Sequence, residues 1–247
     1  MPRFFVRQDR VLNDCISIIG DDAHHIARSL RMAVGEQITV CDMQGNEYEC
    51  KIKSFDEDRE VIAQILSAKH SENEPRVYVR LFQALPKGDK LDTIIQKAVE
   101  CGVGEIIPFE SERCVVKIKS DAEERKTERR QRIAAEAAKQ CGRSVIPEIS
   151  PSVSFRDAIG KALESDICLF CYEGDGTEPL GAILHGFESD MPRSISLFIG
   201  SEGGFSIKET EAARALGMKM TGLGKRILRT ETASGFVLAC IVCATEL

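Results

Sequence analysis

The stretch ISLFIGSEGGFS, residues 195–206, indicates the fold class of this chain. Residues 195–200 are apolar at nearly every position, which is typical of a strand buried on both faces. The adjacent glycines Gly203 and Gly204 indicate a turn, and Ser206-Ile207-Lys208-Glu209 has the pattern of a capping box that begins a helix. A buried strand followed by a turn and a helix is the repeating unit of a parallel sheet covered by helices.

The same alternation extends through the sequence after Pro75. Apolar strands are expected within residues 76–85, 102–109, 165–172, 193–200 and 218–223, with a further short strand within 144–149. Helices are expected over about 87–101, 121–140, 154–163, 180–185, 206–216 and 232–246, with Ser154 capping the third. The pattern predicts an α/β domain over residues 73–247, with a parallel sheet between two layers of helices.

Residues 1–72 have a different pattern, with short β-branched segments separated by turns. One helix is expected in HHIARSLRM, residues 24–32, capped by Asp21-Asp22, and an acidic turn is expected at Asp56-Glu57-Asp58. The polar segment HSENEP, residues 70–75, ends in proline and is typical of a linker. The sequence therefore predicts a small β-barrel domain ahead of the α/β domain.

Composition excludes several classes of protein. The chain has 247 residues with 33 basic and 39 acidic side chains, a formal net charge of −6, which argues against nucleic-acid binding by bulk charge but not by a local basic patch. No apolar run approaches the roughly 20 residues that cross a bilayer. The N-terminal segment MPRFFVRQDR has no signal-peptide core, so we expect a cytoplasmic protein that does not contact membranes.

The ten cysteines are expected to be free thiols in a reducing compartment. Two pairs, Cys168/Cys171 and Cys240/Cys243, have the C-x-x-C spacing of zinc ligands. The residues between them are apolar, whereas zinc knuckles need a turn, and strand residues three apart point to opposite faces. The sequence therefore predicts no metal site.

Two segments are expected at the carboxyl ends of the strands, where open parallel sheets bind ligands. Residues 201–206 allow close backbone approach and precede a helix with free N–H groups, although a plain tight turn is the alternative. Residues 223–233 place three cations beside Ile227 and Leu228, which are expected to draw the loop inward. The alternative is a solvated loop with Thr230 or Thr232 as the helix N-cap.

Taken together, IGSEGGFS (199–206) and LGKRILRTETA (223–233) resemble the paired signature loops of the RsmE-type 16S ribosomal RNA uracil N-3-methyltransferases of the SPOUT class. The resemblance spans nearly the whole chain through MPRFFV at the start, HHIARSLRM (24–32), KLDTIIQKAVECGVGEIIPF (90–109) and KQCGRSVIPEI (139–149). The chain departs from the family at Ser201 and Lys225, where proline is frequent, and at Cys141, where serine is common.

The resemblance implies an N-terminal PUA-like β-barrel and a C-terminal SPOUT-type α/β domain whose chain end forms a trefoil knot, a rare exception to the usual connection rules. It implies a homodimer that binds S-adenosylmethionine in the knot and needs no metal. The implied substrate is a specific uridine of 16S ribosomal RNA, in the small ribosomal subunit, methylated at N-3.

The cofactor-binding residues are expected on three loops, residues 170–173, 199–204 and 223–233, whose backbone groups and apolar side chains hold the nucleoside. They are Phe170, Ile199, Gly200, Glu202, Gly203, Gly204, Leu223, Gly224, Ile227, Leu228, Arg229, Thr232 and Ala233. Glu202 or Glu231 is expected to offset the sulfonium charge. For Glu231 the alternative is an acid in the first turn of the last helix, favoured by the helix dipole.

The acceptor nitrogen of uracil must lose a proton, which spreads negative charge over two carbonyl oxygens. Arg143 and Arg229 are the candidates to stabilise that charge, in the manner of an oxyanion hole. For Arg143, which follows a charged helix, a helix C-cap is the alternative. Glu202 is the candidate base, with His24 or His25 as alternatives.

RNA contacts are expected at Arg3, Arg7, His25, Arg28, Arg31 and Lys225. Basic residues also outnumber acidic ones over residues 113–144, where Lys119 is one of them, although a solvated charged helix explains much of this segment. Two other functions compatible with the residues are a different nucleotide-dependent enzyme, whose glycine fingerprints are missing here, and a non-catalytic RNA-binding protein.

Overall fold

A computed structural model describes residues 1–56, 60–118 and 120–247 of the chain. Glu57 and Asp58 of the expected acidic turn, and Lys119 of the expected basic segment, lie outside the described residues. The chain divides into two compact units. The first contains residues 1–74 and 138–146, and the second contains residues 75–137 and 147–247.

The first unit is built on a six-stranded sheet in the order β1-β4-β5-β6-β3-β2. Its strands are β1 (Arg3–Phe5), β2 (Val11–Leu12), β3 (Cys15–Ile19), β4 (Gln37–Cys41), β5 (Asn46–Asp56) and β6 (Glu60–His70). The pairing of β1 with β4 is parallel and the others are antiparallel. In the described residues no ladder joins the edge strands β1 and β2, so the sheet is open there rather than a fully hydrogen-bonded barrel.

One core fills this unit. Alternate residues of the strands point inward and pack with the helical segment of residues 20–29, including Phe4, Ile16, Ile18, Ile26, Ile38, Ile52 and Val61. A separate 3₁₀ turn, Gln8–Arg10, contributes no buried residue. Alternation of apolar and polar residues is the signal that predicted β-structure in this unit, although β1 was not among the predicted strands.

The helix of the first unit differs from its prediction. α1 (Gly20–His24) begins before Asp21, so both aspartates lie in its first turn and Ile19 is the N-cap without a side-chain hydrogen bond. The predicted aspartate cap is therefore wrong, although first-turn acids still suit the helix dipole. A π-helical turn, His25–Ser29, continues the segment, which ends before Arg31 at a φ of 51°.

The second unit contains an eight-stranded sheet in which every pairing among the described strands is parallel, as predicted. Seven strands follow the order β10-β8-β7-β13-β11-β14-β12, and β9 pairs with β8. They are β7 (Tyr78–Ala84), β8 (Glu105–Glu110), β9 (Glu148–Ile149), β10 (Val153–Ser154), β11 (Ile167–Cys171), β12 (Glu178–Pro179), β13 (Ser194–Ile199) and β14 (Lys219–Gly222).

Six helices accompany this sheet in the described residues: α2 (Lys90–Glu100), α3 (Ser120–Cys141), α4 (Phe155–Ala162), α5 (Leu180–His185), α6 (Ile207–Ala215) and α7 (Thr230–Thr245). The local signals of α2, α4 and α6 were predicted correctly. Ser154 caps α4, and Ser206 with Glu209 forms the predicted capping box of α6. The apolar stripe of α2, from Leu91 to Val99, is buried.

Aromatic rings form the centre of the second unit, where β7, β8, β11 and β13 meet. Phe82 stacks on Phe198 with 4.6 Å between ring centroids, and Phe170 lies 4.1 Å from Phe205. Phe109 also contacts Phe198 and Phe205. Because β13 is buried along nearly its whole length, the loop that follows it is held on a rigid base. Within the described ranges, no helix combines the length and apolarity that spanning a membrane requires.

Candidate active site

A cavity of about 300 Å³ opens beyond the carboxyl ends of the second unit's strands. Its walls come from the loops after β11, β13 and β14, the start of α7, and Arg113 from the loop after β8. Ligand sites in open parallel sheets occupy this position, and the volume is at the lower end of the range for small-molecule pockets. Both segments singled out in the sequence, residues 201–206 and 223–233, contribute to it.

The loop after β13 folds back sharply and depends on its glycines. Gly204 has a φ of +63°, and its N–H donates to the carbonyl of Ser201 over 2.9 Å. A Cβ on Gly200 would lie 3.1 Å from the Cα of Gly204, closer than most real Cβ contacts. Both positions therefore favour glycine, and the backbone of this loop forms part of the cavity wall.

Thr230 joins the two loops. Its Oγ1 donates to the carbonyl of Gly200 over 2.7 Å and accepts from Nε2 of Gln83 over 2.9 Å. Gln83 is the penultimate residue of β7 and is fully buried, and Thr230 is 5% exposed. The start of α7 is thus fixed to both β7 and the glycine loop, although Gly200 and Thr230 lie 30 residues apart.

This contact corrects the predicted helix cap. α7 begins at Thr230, and Arg229 is the N-cap residue, with no side-chain cap. Thr230 is not the cap because its hydroxyl bonds to Gly200 and Gln83 instead of to a helix N–H. Thr232 lies within the first turn, where its own N–H donates to the carbonyl of Arg229.

An ion cluster lies beside the two loops. Lys90, in the first turn of α2, contacts Glu202 over 2.7 Å and Glu231 over 3.7 Å. The backbone N–H of Lys87 also donates to the Glu202 carboxylate, over 3.2 Å. Partial burial alone would raise the pKa of Glu202, but the hydrogen bonds and charge of Lys90 outweigh it and hold that pKa below its usual value. A carboxylate held in the charged form is a poor proton acceptor, which weakens the case for Glu202 as the base.

The basic side chains of the loop between β14 and α7 are not paired with carboxylates in the described chain. Within the described chain, the side chains of Lys225, Arg226 and Arg229 are exposed and have no ion-pair partner. Ile227 is 84% exposed, so the expectation that it draws the loop inward is wrong. Its neighbour Leu228 is half-buried and lines the cavity.

Eight of the predicted cofactor-binding residues line the cavity: Ile199, Gly200, Gly204, Leu223, Gly224, Ile227, Leu228 and Ala233. Five do not: Phe170, Glu202, Gly203, Arg229 and Thr232. Phe170 is fully buried because its ring packs on Phe205, so its side chain does not line the cavity, and its cofactor-binding role stays a prediction. The side chain of Glu202 turns to Lys90 instead.

Several lining residues were not assigned individually. Tyr172, Glu173, Arg226 and Thr230 lie on the three predicted loops, whereas Arg113 and Thr177 lie outside them. Tyr172 and Glu173 follow β11 directly, so the rule that ligands bind at carboxyl ends of strands points to them. No local sequence signal points to Arg113, because it follows β8, which lies two places from β13 in the sheet.

Two predicted arginines form ion pairs inside the first unit. Arg143 is 5% exposed, and its guanidinium donates to Glu74 over 2.7 and 3.2 Å. Arg3 donates to Glu47 over 2.9 Å, and although desolvation opposes it, this hydrogen bond keeps the Arg3 pKa above its usual value. Each pair would have to open before its arginine met a substrate. The catalytic role of Arg143 and the RNA-binding role of Arg3 stay predictions.

The other predicted contacts of the first unit are more accessible. The side chains of Arg7, Arg28 and Arg31 are exposed, and Arg7 lies 3.6 Å from Asp9. His24 and His25 are also exposed, and the ring of His25 lies 6.4 Å from that of Phe4. Their roles stay predictions.

The cysteines of the described chain are free thiols. Cys168 donates to the carbonyl of Ala162 over 3.0 Å, and burial raises the pKa of the Cys171 thiol. Among the described residues, no three His, Cys, Asp or Glu side chains are grouped as metal ligands.

Comparisons with known proteins identify the family. An RNA methyltransferase domain model matches residues 72–242, and an RNA methyltransferase PUA domain model matches residues 18–66. The Ribosomal RNA small subunit methyltransferase E of Bacillus subtilis (strain 168) is 35% identical over 100% of this chain and 98% of its own length. The chain belongs to this RsmE family of ribosomal RNA methyltransferases.

Solved structures agree with this assignment to the RsmE family. The Neisseria gonorrhoeae Ribosomal RNA small subunit methyltransferase E, bound to S-adenosyl methionine, is 29% identical with a TM-score of 0.84, covering 98% of this chain and 97% of that one. A putative methyltransferase from Legionella pneumophila, in complex with SAM, is 28% identical with the same TM-score and coverage. The resemblance carried by the two loops of residues 199–206 and 223–233 is therefore confirmed at the level of the RsmE family.

Proposed function

We propose that this chain transfers a methyl group from S-adenosylmethionine to N-3 of a specific uridine in 16S ribosomal RNA. The observation that carries the proposal is the cavity between the glycine loop and the start of α7, in a chain of the RsmE family. Relatives with the same fold hold S-adenosylmethionine in their solved structures.

The residues of the cavity fit such a cofactor. Ile199, Leu223 and Leu228 supply apolar walls for an adenine ring, and the backbone at Gly200 and Gly204 lines the same cavity. When bound, S-adenosylmethionine supplies an electrophilic methyl group on a sulfonium. The chain's own residues then have to bind, orient and stabilise charge, and no metal is required for that chemistry.

Arg229 is the residue we assign to the acceptor. Loss of the N-3 proton leaves negative charge on the uracil carbonyl oxygens, and an exposed guanidinium without a carboxylate partner is available to stabilise it. Glu202 contributes by holding Lys90 between the two loops rather than by accepting the proton.

We also propose that the second unit contains a trefoil knot. Its support is the path of the chain end. In the sheet, β14 lies on one side of β11, whereas β13 and β7 lie on the other. The chain leaves β14, yet Thr230 at the start of α7 bonds to Gly200 after β13 and to Gln83 of β7. Domain boundaries at residues 1–72 and 73–247 are proposed with it, supported by the polar segment that ends at Pro75.

A homodimer is proposed for the assembled enzyme, acting on the small ribosomal subunit in the cytoplasm. Its support is the outer face of α7, where Phe236 is 43% exposed and Ala239 and Cys243 are exposed on the same side. An exposed apolar stripe of this kind is typical of a protein interface. Sedimentation of the purified chain measures the assembly directly.

The activity test uses small ribosomal subunits from cells that lack this protein, with labelled S-adenosylmethionine and nucleoside mass spectrometry. We expect 3-methyluridine at one position of 16S ribosomal RNA. Arg229→Ala should fold normally and lose at least about tenfold in turnover. The matched control is Arg193→Ala, an exposed arginine at the amino end of β13, which should retain full turnover. Absence of methylated uridine with the wild-type chain would refute the proposal.

A thermal-shift measurement separates the proposal from the two other functions considered. Stabilisation by S-adenosylhomocysteine, but not by NAD or ATP, supports the methyltransferase, because a ligand that binds only the folded state raises the melting temperature. Stabilisation by NAD or ATP alone would indicate a different nucleotide-dependent enzyme.

A further inference from the structure

Two opposite charges in the cavity have no role in the mechanism above. Arg113 and Glu173 both line it, and both have exposed side chains. Within the described residues neither belongs to an ion pair, although each lies beside the glycine pair of the loop after β13. An arginine and a glutamate that share a cavity without pairing have charge available for a ligand.

Arg113 is held in place by its surroundings. Its Nη1 donates to the carbonyl of Gly203 over 3.1 Å, a neutral acceptor that leaves the charge of the guanidinium uncompensated. A Cβ on Gly203 would lie 3.1 Å from the Cβ of Arg113, so the two backbones are in close contact. The glycine at this position therefore allows the arginine to approach the loop.

The turn that carries Arg113 is also fixed. The N–H of Glu112 donates to Oε1 of Glu209 over 2.8 Å, and Oε2 of the same carboxylate accepts from the N–H of Ser206 in the capping box of α6. Glu209 is 5% exposed. One buried carboxylate thus joins the loop after β8 to the start of α6, which orders Arg113 before any ligand binds.

Glu173 lies beside the second glycine of the pair. A Cβ on Gly204 would be 3.8 Å from its Oε1. The residue follows the buried strand β11 and, among the described residues, is the one carboxylate in the cavity wall. Arg113 and Glu173 therefore present a positive and a negative group around Gly203-Gly204.

We propose that Arg113 and Glu173 bind the amino-acid end of the cofactor, Arg113 its carboxylate and Glu173 its ammonium group. This rests on the proposed function, since it assigns residues to one part of that cofactor. The methionine portion of S-adenosylmethionine ends in both groups, and paired arginine and glutamate side chains match the two charges. The adenine ring would bind against the apolar side chains of Ile199, Leu223 and Leu228.

The test compares two ligands that share the adenosine part. S-adenosylhomocysteine carries the amino-acid end, and 5′-methylthioadenosine lacks it. Calorimetry on the full chain should show that Arg113→Met weakens S-adenosylhomocysteine about tenfold or more, the size of a lost charged hydrogen bond, and leaves methylthioadenosine unchanged. Glu173→Gln should act in the same direction. Arg113→Lys should give an intermediate loss, because it keeps the charge but not the fork.

Three results would overturn the proposal. Equal loss of both ligands in Arg113→Met would indicate a distorted loop, and unchanged affinity for S-adenosylhomocysteine would remove the residue from cofactor binding. A raised KM for RNA with unchanged cofactor affinity would instead place Arg113 against a phosphate of the substrate. The variant Arg193→Met controls for the loss of one exposed arginine elsewhere in the same unit.

The same measurements distinguish failure of the amino-acid subsite from failure of the proposed methyltransferase function. A wild-type chain that methylates RNA and binds S-adenosylhomocysteine, with ligand preference unaltered in both variants, would refute the amino-acid subsite alone. A wild-type chain that binds neither ligand would refute the proposed function as well.

Discussion

One hydroxyl joins three parts of the chain at Thr230. It donates to Gly200 and accepts from Gln83, and a hydroxyl has only one proton, so the order of donors is fixed from Gln83 to Thr230 to Gly200. All three residues are at or near the cavity wall, and Gln83 and Thr230 are buried. A buried hydrogen bond costs more when one partner is removed than its formation contributes.

Thr230→Val should therefore destabilise the protein, although the valine side chain has nearly the same shape as threonine. It leaves the carbonyl of Gly200 without this donor, and we expect a loss of about 1–3 kcal/mol in the free energy of unfolding together with weaker binding of S-adenosylhomocysteine. Thr230→Ser, which keeps the hydroxyl, should restore most of both. Urea unfolding and calorimetry measure the two quantities. Valine and serine variants of equal stability and affinity would contradict this account of Thr230.

The ion pair of Glu202 predicts a pH dependence of stability. Its pKa is below the ordinary value of 4.5 in the folded chain because the hydrogen bonds and charge of Lys90 outweigh desolvation. Its contribution is therefore present above that ordinary value and is lost as pH falls through the lowered folded pKa.

The measurement is urea unfolding of the wild type and of Glu202→Gln from about pH 6 to about pH 3. We expect the wild type to lose more stability over this interval, because the glutamine does not titrate. Parallel curves for the two proteins would contradict the assignment.

At the scale of elements, local signals predicted most of the second unit. The apolar residues of β13, the capping box of α6 and the stripe of α2 each lie within a few residues, so periodicity and capping rules were sufficient. The parallel sheet followed from strands that are apolar on both faces. Contacts between distant segments were not predictable in this way.

The candidate site shows the limit more clearly. Arg113 reaches the cavity across the end of β7, and the start of α7 depends on Gly200, far away in the sequence. Exposure of Ile227 was equally hidden, because side-chain apolarity alone does not report how a loop is turned. The sequence therefore predicted the loops of residues 199–206 and 223–233 and eight of their lining residues, but not the loop of Arg113 or the direction in which each side chain is turned.

Helix α3 is highly charged and was interpreted as part of a basic RNA-contacting segment, with a solvated helix as the alternative, yet one of its ion pairs is buried. Arg130 and Glu123 contact each other over 3.0 Å, with 8% and 11% of their side chains exposed. The Glu123 carboxylate also accepts from the N–H of Ser152 over 2.9 Å. Desolvation opposes the charged form of Glu123, but Ser152 and Arg130 outweigh it and hold its pKa below the usual value.

Removing one partner of this pair should leave an uncompensated charge in a buried position. Glu123→Ala is expected to lower the free energy of unfolding by about 3–5 kcal/mol, whereas the double variant Glu123→Leu/Arg130→Met should lose much less. Urea unfolding of the single and double variants measures the difference. A double variant as unstable as the single one would show that the charge of Arg130 is not the cause.

At the scale of the whole molecule, charge has to be local to bind RNA. The chain has a formal net charge of −6, so RNA gains nothing from its total charge. Lys225, Arg226 and Arg229 are exposed in one short loop at the cavity, and within the described chain they have no acidic partners. A loop of three free cations is sufficient to neutralise phosphates close to the target nucleotide.

This arrangement predicts how RNA affinity depends on salt. If three phosphates of a single-stranded segment are neutralised, the logarithm of the association constant should fall with the logarithm of salt concentration with a slope of about −2. Neutralising the three cations together, as Lys225→Gln/Arg226→Gln/Arg229→Gln, should flatten the slope, while Arg193→Gln should leave it unchanged. Fluorescence titration of a labelled 16S fragment at several salt concentrations gives the slopes. An equal slope in the triple variant would place the phosphate contacts elsewhere on the chain, because counterion release counts only the charges that meet phosphate.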